Sequence, residues 1–335
     1  PAERGIIRVL VSTHDNLLAI HETESSSVYV NERFLRSPDG AGNLSQTDDV
    51  VGDDRLLRGE FGTINPESVV EWNDNIFWWD DLKAEPVMYS INGIVKLGTL
   101  RNMRNYFLNL QKTRRDHLIA NPSDFSRVYG GYDPEKKMFI LSFNDMGALE
   151  GETIGYNDDY NYFSTRFSFK PEHFSYLINN FFSFKDGALW KHDDDDVNFN
   201  RFYGVDYPWS FKFVSNSDNH LEKIYRSIGA KINKEFQVIE ISNPEGQLST
   251  LVTGDLVRRD DQYYADILRD ENTNPDKLVG IQTPLLHGDV MRSQVMTLEF
   301  RSDDDEEANN PGQVFVEYIV VDYQESPGHI LGSKR

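Results

Sequence analysis

The chain has 335 residues, no cysteine, a formal net charge of −21 and 13 % aromatic residues, including 21 Phe and 16 Tyr. That length buries a sizeable core as one large domain or two ordinary ones, and the missing cysteines exclude disulfides, thiolate zinc sites and cysteine nucleophiles. The acidic balance removes the electrostatic attraction behind most nucleic-acid binding, and no apolar run approaches the ~18 residues that a membrane-spanning helix needs.

No secretory signal is visible. Pro1-Ala2-Glu3-Arg4-Gly5 carries no initiating methionine and leads directly into the strand-like Ile6–Val11, so the opening reads as the interior of a longer polypeptide. Asn16–Ile20 and Ser27–Val30 read as a hairpin across a polar turn. Asn31–Glu60, rich in Gly, Asp and Ser and without periodicity, reads as a loop. Ser68–Trp72 then pairs with Ile76–Trp79 across Asn73-Asp74-Asn75. Val87–Ser90 and Gly93–Leu97 flank Asn92-Gly93, a dipeptide suited to a type I′ turn because both central residues need positive φ.

Met103–His117 has apolar residues at Met103, Tyr106, Phe107 and Leu110, the i, i+3, i+4, i+7 spacing of a helix of about three turns. Val128–Tyr132 turns through Asp133–Lys137 into Met138–Phe143. Phe181–Phe184 turns at Lys185-Asp186-Gly187 into Ala188-Leu189-Trp190. A second short helix is expected over Asn219–Ile228. Phe236–Ile241 turns at Asn243-Pro244-Glu245-Gly246 toward Leu248–Val252. The acid run Asp303–Glu307 separates strand-like Val295–Phe300 from Val314–Val321 and reads as a long solvated hairpin loop.

An apolar strand, an Asp/Asn turn and a second apolar strand return about every fifty residues, a spacing that fits propeller blades and also fits a stacked β-sandwich. The expectation is an all-β fold: a β-propeller-like array of antiparallel hairpins with one or two short helices over 1–225, completed by an upstream segment, and a C-terminal antiparallel β region over 226–335.

Each candidate for chemistry meets an objection. Trp78-Trp79-Asp80-Asp81 could stack and hydrogen-bond a sugar, but neighbouring strand residues point to opposite faces. The expectation is therefore one core Trp, with the acids solvating the connection. His192-Asp193-Asp194-Asp195-Asp196 lacks the alternating ligands and central glycine of a calcium loop. His287-Gly288-Asp289 has no serine elbow to serve. Arg101, Arg104, Lys112, Arg114 and Arg115 form a local basic stretch that reads as a solvated helix or loop face. Gly130-Gly131 before Tyr132-Asp133-Pro134 reads as turn chemistry, not a phosphate loop. The sequence thus assigns no catalytic, cofactor-binding or metal-ligating residue.

The order of motifs is similar to one pattern. Gly62-Thr63, Ser68-Val69-Val70, Asn75–Asp80, Tyr89 with Gly93-Ile94, and Met103 with Tyr106-Phe107 follow one another as in tail nozzle proteins of short-tailed phages. Gly131-Tyr132-Asp133-Pro134 through Leu141, Phe167–Phe174, Phe182–His192, Phe202-Tyr203-Gly204 and Phe213–Asn216 continue it. Together they resemble the C-terminal part of the muzzle proteins of crAss-like phages. The resemblance implies a structural, non-enzymatic virion protein at the distal tail. It would form a homo-oligomeric ring around the DNA exit channel, gate genome retention and release, and contact hub, ring and fibre proteins, with no specific nucleic-acid binding and no membrane insertion. The competing reading is a carbohydrate-binding or glycan-cleaving β-propeller at a host surface; a β-rich adhesin is a third.

Overall fold

The structure, a computed structural model, describes residues 4–13, 16–36, 42–177, 180–194, 196–197, 199–302 and 313–326, with the backbone alone for 31–36 and 42–53. It divides into two compact units, Pro1–Asp194 and Asp195–Arg335. Strands dominate both, in keeping with the all-β expectation.

The first unit begins with a meander of β1 (Ile7–Ser12), β2 (Asn16–His21), β3 (Ser25–Arg36) and β4 (Gly42–Leu56). A single 3-10 turn, Pro66–Ser68, precedes a second meander of β5 (Val70–Trp72), β6 (Asn75–Asp80), β7 (Glu85–Ser90) and β8 (Gly93–Lys96). Two helices follow, the one-turn α1 (Leu97–Leu100) and the long α2 (Arg104–Ala120), the latter where the apolar spacing predicts it. The third meander is β9 (Val128–Asp133), β10 (Met138–Phe143), β11 (Glu152–Asn157) and β12 (Tyr162–Phe167), and the last is β13 (His173–Leu177), β14 (Asn180–Lys185) and β15 (Ala188–Lys191). In all four, sequence neighbours are sheet neighbours.

Three local expectations need correction. Asn31–Glu60 is mostly not a loop: β3 and β4 pair from Ser26↔Leu56 to Arg36↔Gly42. Register irregularities at Val28/Val30 and Val30/Glu32 break the two-residue alternation, which is why periodicity misses the hairpin. The type I′ geometry is not at Asn92-Gly93, where only Gly93 has positive φ; it is at Asn73-Asp74 (φ 47° and 61°), between the paired Trp72 and Asn75. Gly130 and Gly131 are not turn residues but lie inside β9, paired with Leu141 and Ile140.

The first and second meanders share a core of Leu18, Ile20, Phe61, Ile76, Trp78 and Val87. The second and third share another, with Phe77, Trp79, Tyr132, Phe139, Leu141 and Phe143 closed over by Leu97 and Phe107. Because β6 is covered on both faces, its apolar residues run on without alternation.

The second unit opens with the hairpin β16 (Arg201–Phe202) and β17 (Val205–Asp206), followed by β18 (Ser210–Ser215), β19 (Lys223–Ile232), β20 (Phe236–Ser242) and β21 (Leu248–Leu251). It continues with β22 (Val257–Arg259), β23 (Gln262–Asp266), the one-turn α3 (Pro284–His287), β24 (Arg292–Ser293), β25 (Met296–Ser302) and β26 (Val316–Glu325). One sheet has the order β18-β25-β20-β21. The other runs β22-β23-β19, with β24 and β26 also paired to β19. The sheets share a core that includes Ile228, Ala230 and Ile232 from one and Val238, Ile241, Leu298 and Phe300 from the other.

The expected helix over Asn219–Ile228 is instead largely β19. Pairing with three strands overrides whatever local helical tendency the segment has. The strands flanking Asp303–Glu307 exist but do not pair with each other: β25 joins β18 and β20, and β26 joins β19, so there is no hairpin. The acid run itself lies outside the described residues. The position expected to divide the domains, between Tyr225 and Arg226, falls within β19.

Candidate functional site

The adjacent acids Asp80 and Asp81 are buried rather than solvated, at 1 % and 9 % exposure. The segment Gly62–Asn65 lies against them. Gly62 N donates to Asp80 Oδ2 at 3.0 Å and Lys83 N to Asp80 Oδ1 at 2.7 Å. Asp81 Oδ2 accepts Ile64 N at 3.2 Å, and its Oδ1 accepts Asn65 Nδ2 at 2.7 Å and the Trp79 indole Nε1 at 3.2 Å. Trp78 Nε1 donates back to the Gly62 carbonyl at 3.2 Å. Burial pushes the Asp80 carboxyl up to about 6, against the downward pull of its two backbone donors. It raises Asp81 as well, again opposed by hydrogen bonds.

This cluster ties three sheets together. Thr63 N donates to His21 O of β2 at 2.9 Å, and a Cβ on Gly62 would come within 2.6 Å of the His21 and Glu22 carbonyls. Asp80 and Asp81 belong to the end of β6 and its turn. Asn65 reaches onward, its Oδ1 accepting Val128 N of β9 at 3.2 Å. The "GT" and "WWDD" motifs, separated in sequence, thus form one joint. With both indoles fully buried, the pair offers no platform to a sugar.

A second junction lies along the first strands of successive meanders. In β9, Gly130 faces β5 and its preceding turn, where a Cβ would stand 2.3 Å from Ser68 O. Gly131 faces the other way, where a Cβ would stand 2.6 Å from the Phe174 ring of β13. A side chain on either would force the sheets apart, so these positions use glycine for close approach. Beside them Trp72 of β5 stacks on Tyr132 of β9 at 5.1 Å and meets Tyr176 of β13 edge-on at 5.2 Å. Sequence reading missed this junction; a Gly-Gly pair inside an apolar strand was the available signal.

The remaining candidates are held in local contacts. Arg114 is buried and donates to Asn144 O (2.8 Å), Asn144 Oδ1 (2.8 Å) and Ser126 Oγ (2.9 Å). Desolvation lowers its guanidinium to about 10. Arg104 bonds the buried Glu85 carboxylate at 2.9 Å, and Lys112 pairs with Asp116, so the basic stretch does not present one cationic surface. His192 sits between Phe169 and Phe181, with its Nε2 2.7 Å from Ser183 Oγ, and burial lowers it to about 4. Asp193 pairs with Lys136 and Asp194 with Lys191, so the acids after His192 diverge; Asp195 lies outside the described residues. Asp289 pairs with Lys277, and the His287 ring turns back to Thr283 at 3.3 Å. Among the described residues no three His, Asp or Glu side chains form a metal-binding group, and no helix is long and apolar enough to cross a membrane.

Comparison with known proteins matches both units of the chain to one family. The family model described as "Crassvirus muzzle protein" matches residues 2–187, more than half of the chain, and that of the "Crassvirus muzzle protein C-terminal domain" matches 197–270. The two matches part where the two compact units do, near 194/195. The muzzle protein of Bacteroides phage crAss001 is 22 % identical over 255 residues, covering 72 % of this chain but 18 % of that protein's length. The chain therefore belongs to the Crassvirus muzzle protein family, whose members are components of the phage virion tail.

Proposed function

We propose that the chain is a mechanical element of the phage tail, contributing to a ring of copies around the DNA exit channel that holds the genome in and lets it pass on infection. One observation carries the reading: the groups best suited to chemistry, Asp80, Asp81 and His192, are turned inward and hold sheets or strands together. A stiff body that resists load uses its buried polar groups in this way. An enzyme turns some of them toward a cleft.

The first unit is read as part of a β-propeller-like array. Its meanders stack face to face, and β9 lies between the first strands of the meanders on either side, as the innermost strands of radial blades do. On this reading the chain has no catalytic role, its partners are copies of itself and other tail proteins, including hub, ring and fibre proteins, and part of its −21 charge faces the lumen. An acidic wall repels the passing duplex and prevents it from sticking.

Cryo-electron microscopy of the purified tail tests the proposal. The expected result is rings of this chain around the channel with closed radial blades and an acidic lumen. A basic lumen, or a monomeric chain that turns over or binds glycans on an array, overturns it in favour of a host-surface propeller.

A further inference from the structure

Between β23 and β24 the chain leaves the sheet for a long excursion, Ile267 to Met291, that the tail reading does not use. The C-terminal family model ends at residue 270, so the excursion lies almost wholly outside the matched region. Excursions of this length without strands are uncommon in compact domains and usually serve a function. The base is tied shut. Asp270 N donates to Asp289 O at 3.0 Å, Asp289 N to Thr273 Oγ1 at 2.8 Å, and Thr273 Oγ1 to Asp270 O at 2.7 Å. The buried Asp270 carboxylate accepts Leu248 N of β21 and Asn272 N, both at 3.0 Å, which anchors the base to the sheet. Lys277 pairs with Asp289. A Cβ on Gly288 would stand 2.8 Å from Asp270 O, so the base closes over a glycine.

The tip is apolar and set in one shape. Val279 is 76 % exposed and Ile281 fully so, with Leu286 exposed a few residues on. Gln282 N donates to Val279 O at 3.4 Å, and the Gln282 side chain closes the turn a second time, its Oε1 accepting Val279 N at 2.8 Å. Gly280 supplies the positive φ (66°). A single apolar residue on a surface is ordinary. Two at the tip of a loop whose base and turn are both held are preorganised for burial against a partner. The excursion carries four acids, Asp270, Glu271, Asp276 and Asp289, against Arg269 and Lys277. Asp270 is buried, and Asp289 and Lys277 neutralise each other. Glu271 and Asp276 are exposed and form no ion pair among the described residues, Arg269 is half-buried at the base, and the His287 ring turns back to Thr283. The loop is thus an aliphatic tip with an acidic flank.

We propose that the Val279–Ile281 tip inserts into an apolar socket with a basic rim on a different protein of the tail. Apolar anchors in a desolvated pocket supply the affinity of such a contact, and complementary charge around them selects the partner. Other occupants fit worse. The tip lacks the Trp, Tyr, Lys and Arg that hold a loop at a bilayer interface. A second copy would bring the same acidic flank to the contact, on a chain whose net charge of −21 repels its twin. The inference rests on the chain's place in the tail and holds whatever the ring order.

Carbene footprinting of purified tails and of the free full chain tests it. Val279 and Ile281 are expected to label readily in the free chain and to lose most of that labelling in the tail. In tails carrying p-benzoylphenylalanine in place of Leu286, light is expected to cross-link the loop to a protein other than this chain, at a peptide with apolar residues beside Lys or Arg. Ile281→Asp changes a fully exposed side chain, so the variant should melt like the parent. Tails grown with it should either lack the chain or leave Val279 open to label. Equal labelling of the tip in tail and free chain overturns the proposal. So does a cross-link to a second copy or to an acidic site, or an Ile281→Asp tail in which Val279 stays protected.

Discussion

Trp78 and Trp79 are adjacent in β6 and belong to different cores, Trp78 to the one shared with β2 and Trp79 to the one shared with β9 and β10. Both are fully buried, and each indole donates into the joint between Gly62–Asn65 and Asp80-Asp81. Trp79 is further wedged against Phe107 and, edge-on, Phe143.

Replacing either tryptophan therefore opens a cavity. Trp78→Ala and Trp79→Ala should each lower stability by about 3–5 kcal/mol in urea denaturation. A strand with one wet face would show the loss at only one of the two.

Gly130→Ala and Gly131→Ala test the close approach of the meanders. A methyl at 130 meets Ser68 backbone and one at 131 meets the Phe174 ring, so each should cost at least the ~1–3 kcal/mol of an overpacked core. The larger loss belongs at 130, where the obstacle is main chain. Gly187→Ala provides the contrast: nothing stands within 4 Å of its Cβ, and φ of +73° leaves only backbone strain, about 1 kcal/mol. Thermal melts that rank Gly187→Ala as the worst of the three would refute the packing account.

Two desolvated groups, the buried Asp80 and the half-buried His192, oppose each other in pH dependence. The Asp80 carboxyl is raised from 3.8 to about 6, so its ionised form destabilises the fold and stability returns as pH falls from about 6 toward 3.8. His192 is depressed from 6.5 to about 4, so the unfolded chain takes up the proton first and stability is lost as pH falls from 6.5 toward 4. Each displacement is worth on the order of 3 kcal/mol, and across this window the two largely cancel. Asp80→Asn should therefore lose more stability than the parent between pH 6.5 and 4, and His192→Gln less. Denaturation curves at half-unit pH steps would show this; parallel pH profiles for all three proteins would refute it.

Arg114 separates a buried cation from its exposed neighbours. Arg114→Ala removes the guanidinium's bonds to Asn144 and Ser126 from a half-buried site and should cost about 1–3 kcal/mol. Arg115→Ala, on a largely exposed side chain, should stay within about 0.5 kcal/mol. If the stretch instead contacted nucleic acid, Arg115→Ala would weaken DNA retention on a filter and Arg114→Ala would not.

What the sequence determined by itself is local. Polar and Asp/Asn/Gly turns between short apolar runs marked the hairpins β2-β3, β5-β6, β7-β8, β9-β10, β14-β15 and β20-β21, because turn geometry is set by a few neighbouring residues. The 3.6-residue spacing marked the helix at Arg104–Ala120, and the order of motifs pointed to the family. The tertiary structure alone decided which faces are covered. Nothing local to Phe77–Asp81 says that a sheet lies on each side of β6, and that second cover is what buries both tryptophans and turns Asp80 and Asp81 from solvating groups into a joint. Gly130-Gly131 reads locally as a turn, yet Ser68 before β5 and Phe174 of β13 press on it from both sides, and Asn219–Ile228 reads locally as helical, yet its larger part pairs with three strands. The physical reason is common to all three: burial and pairing of a strand depend on partners tens of residues away, whose approach no short window of sequence records.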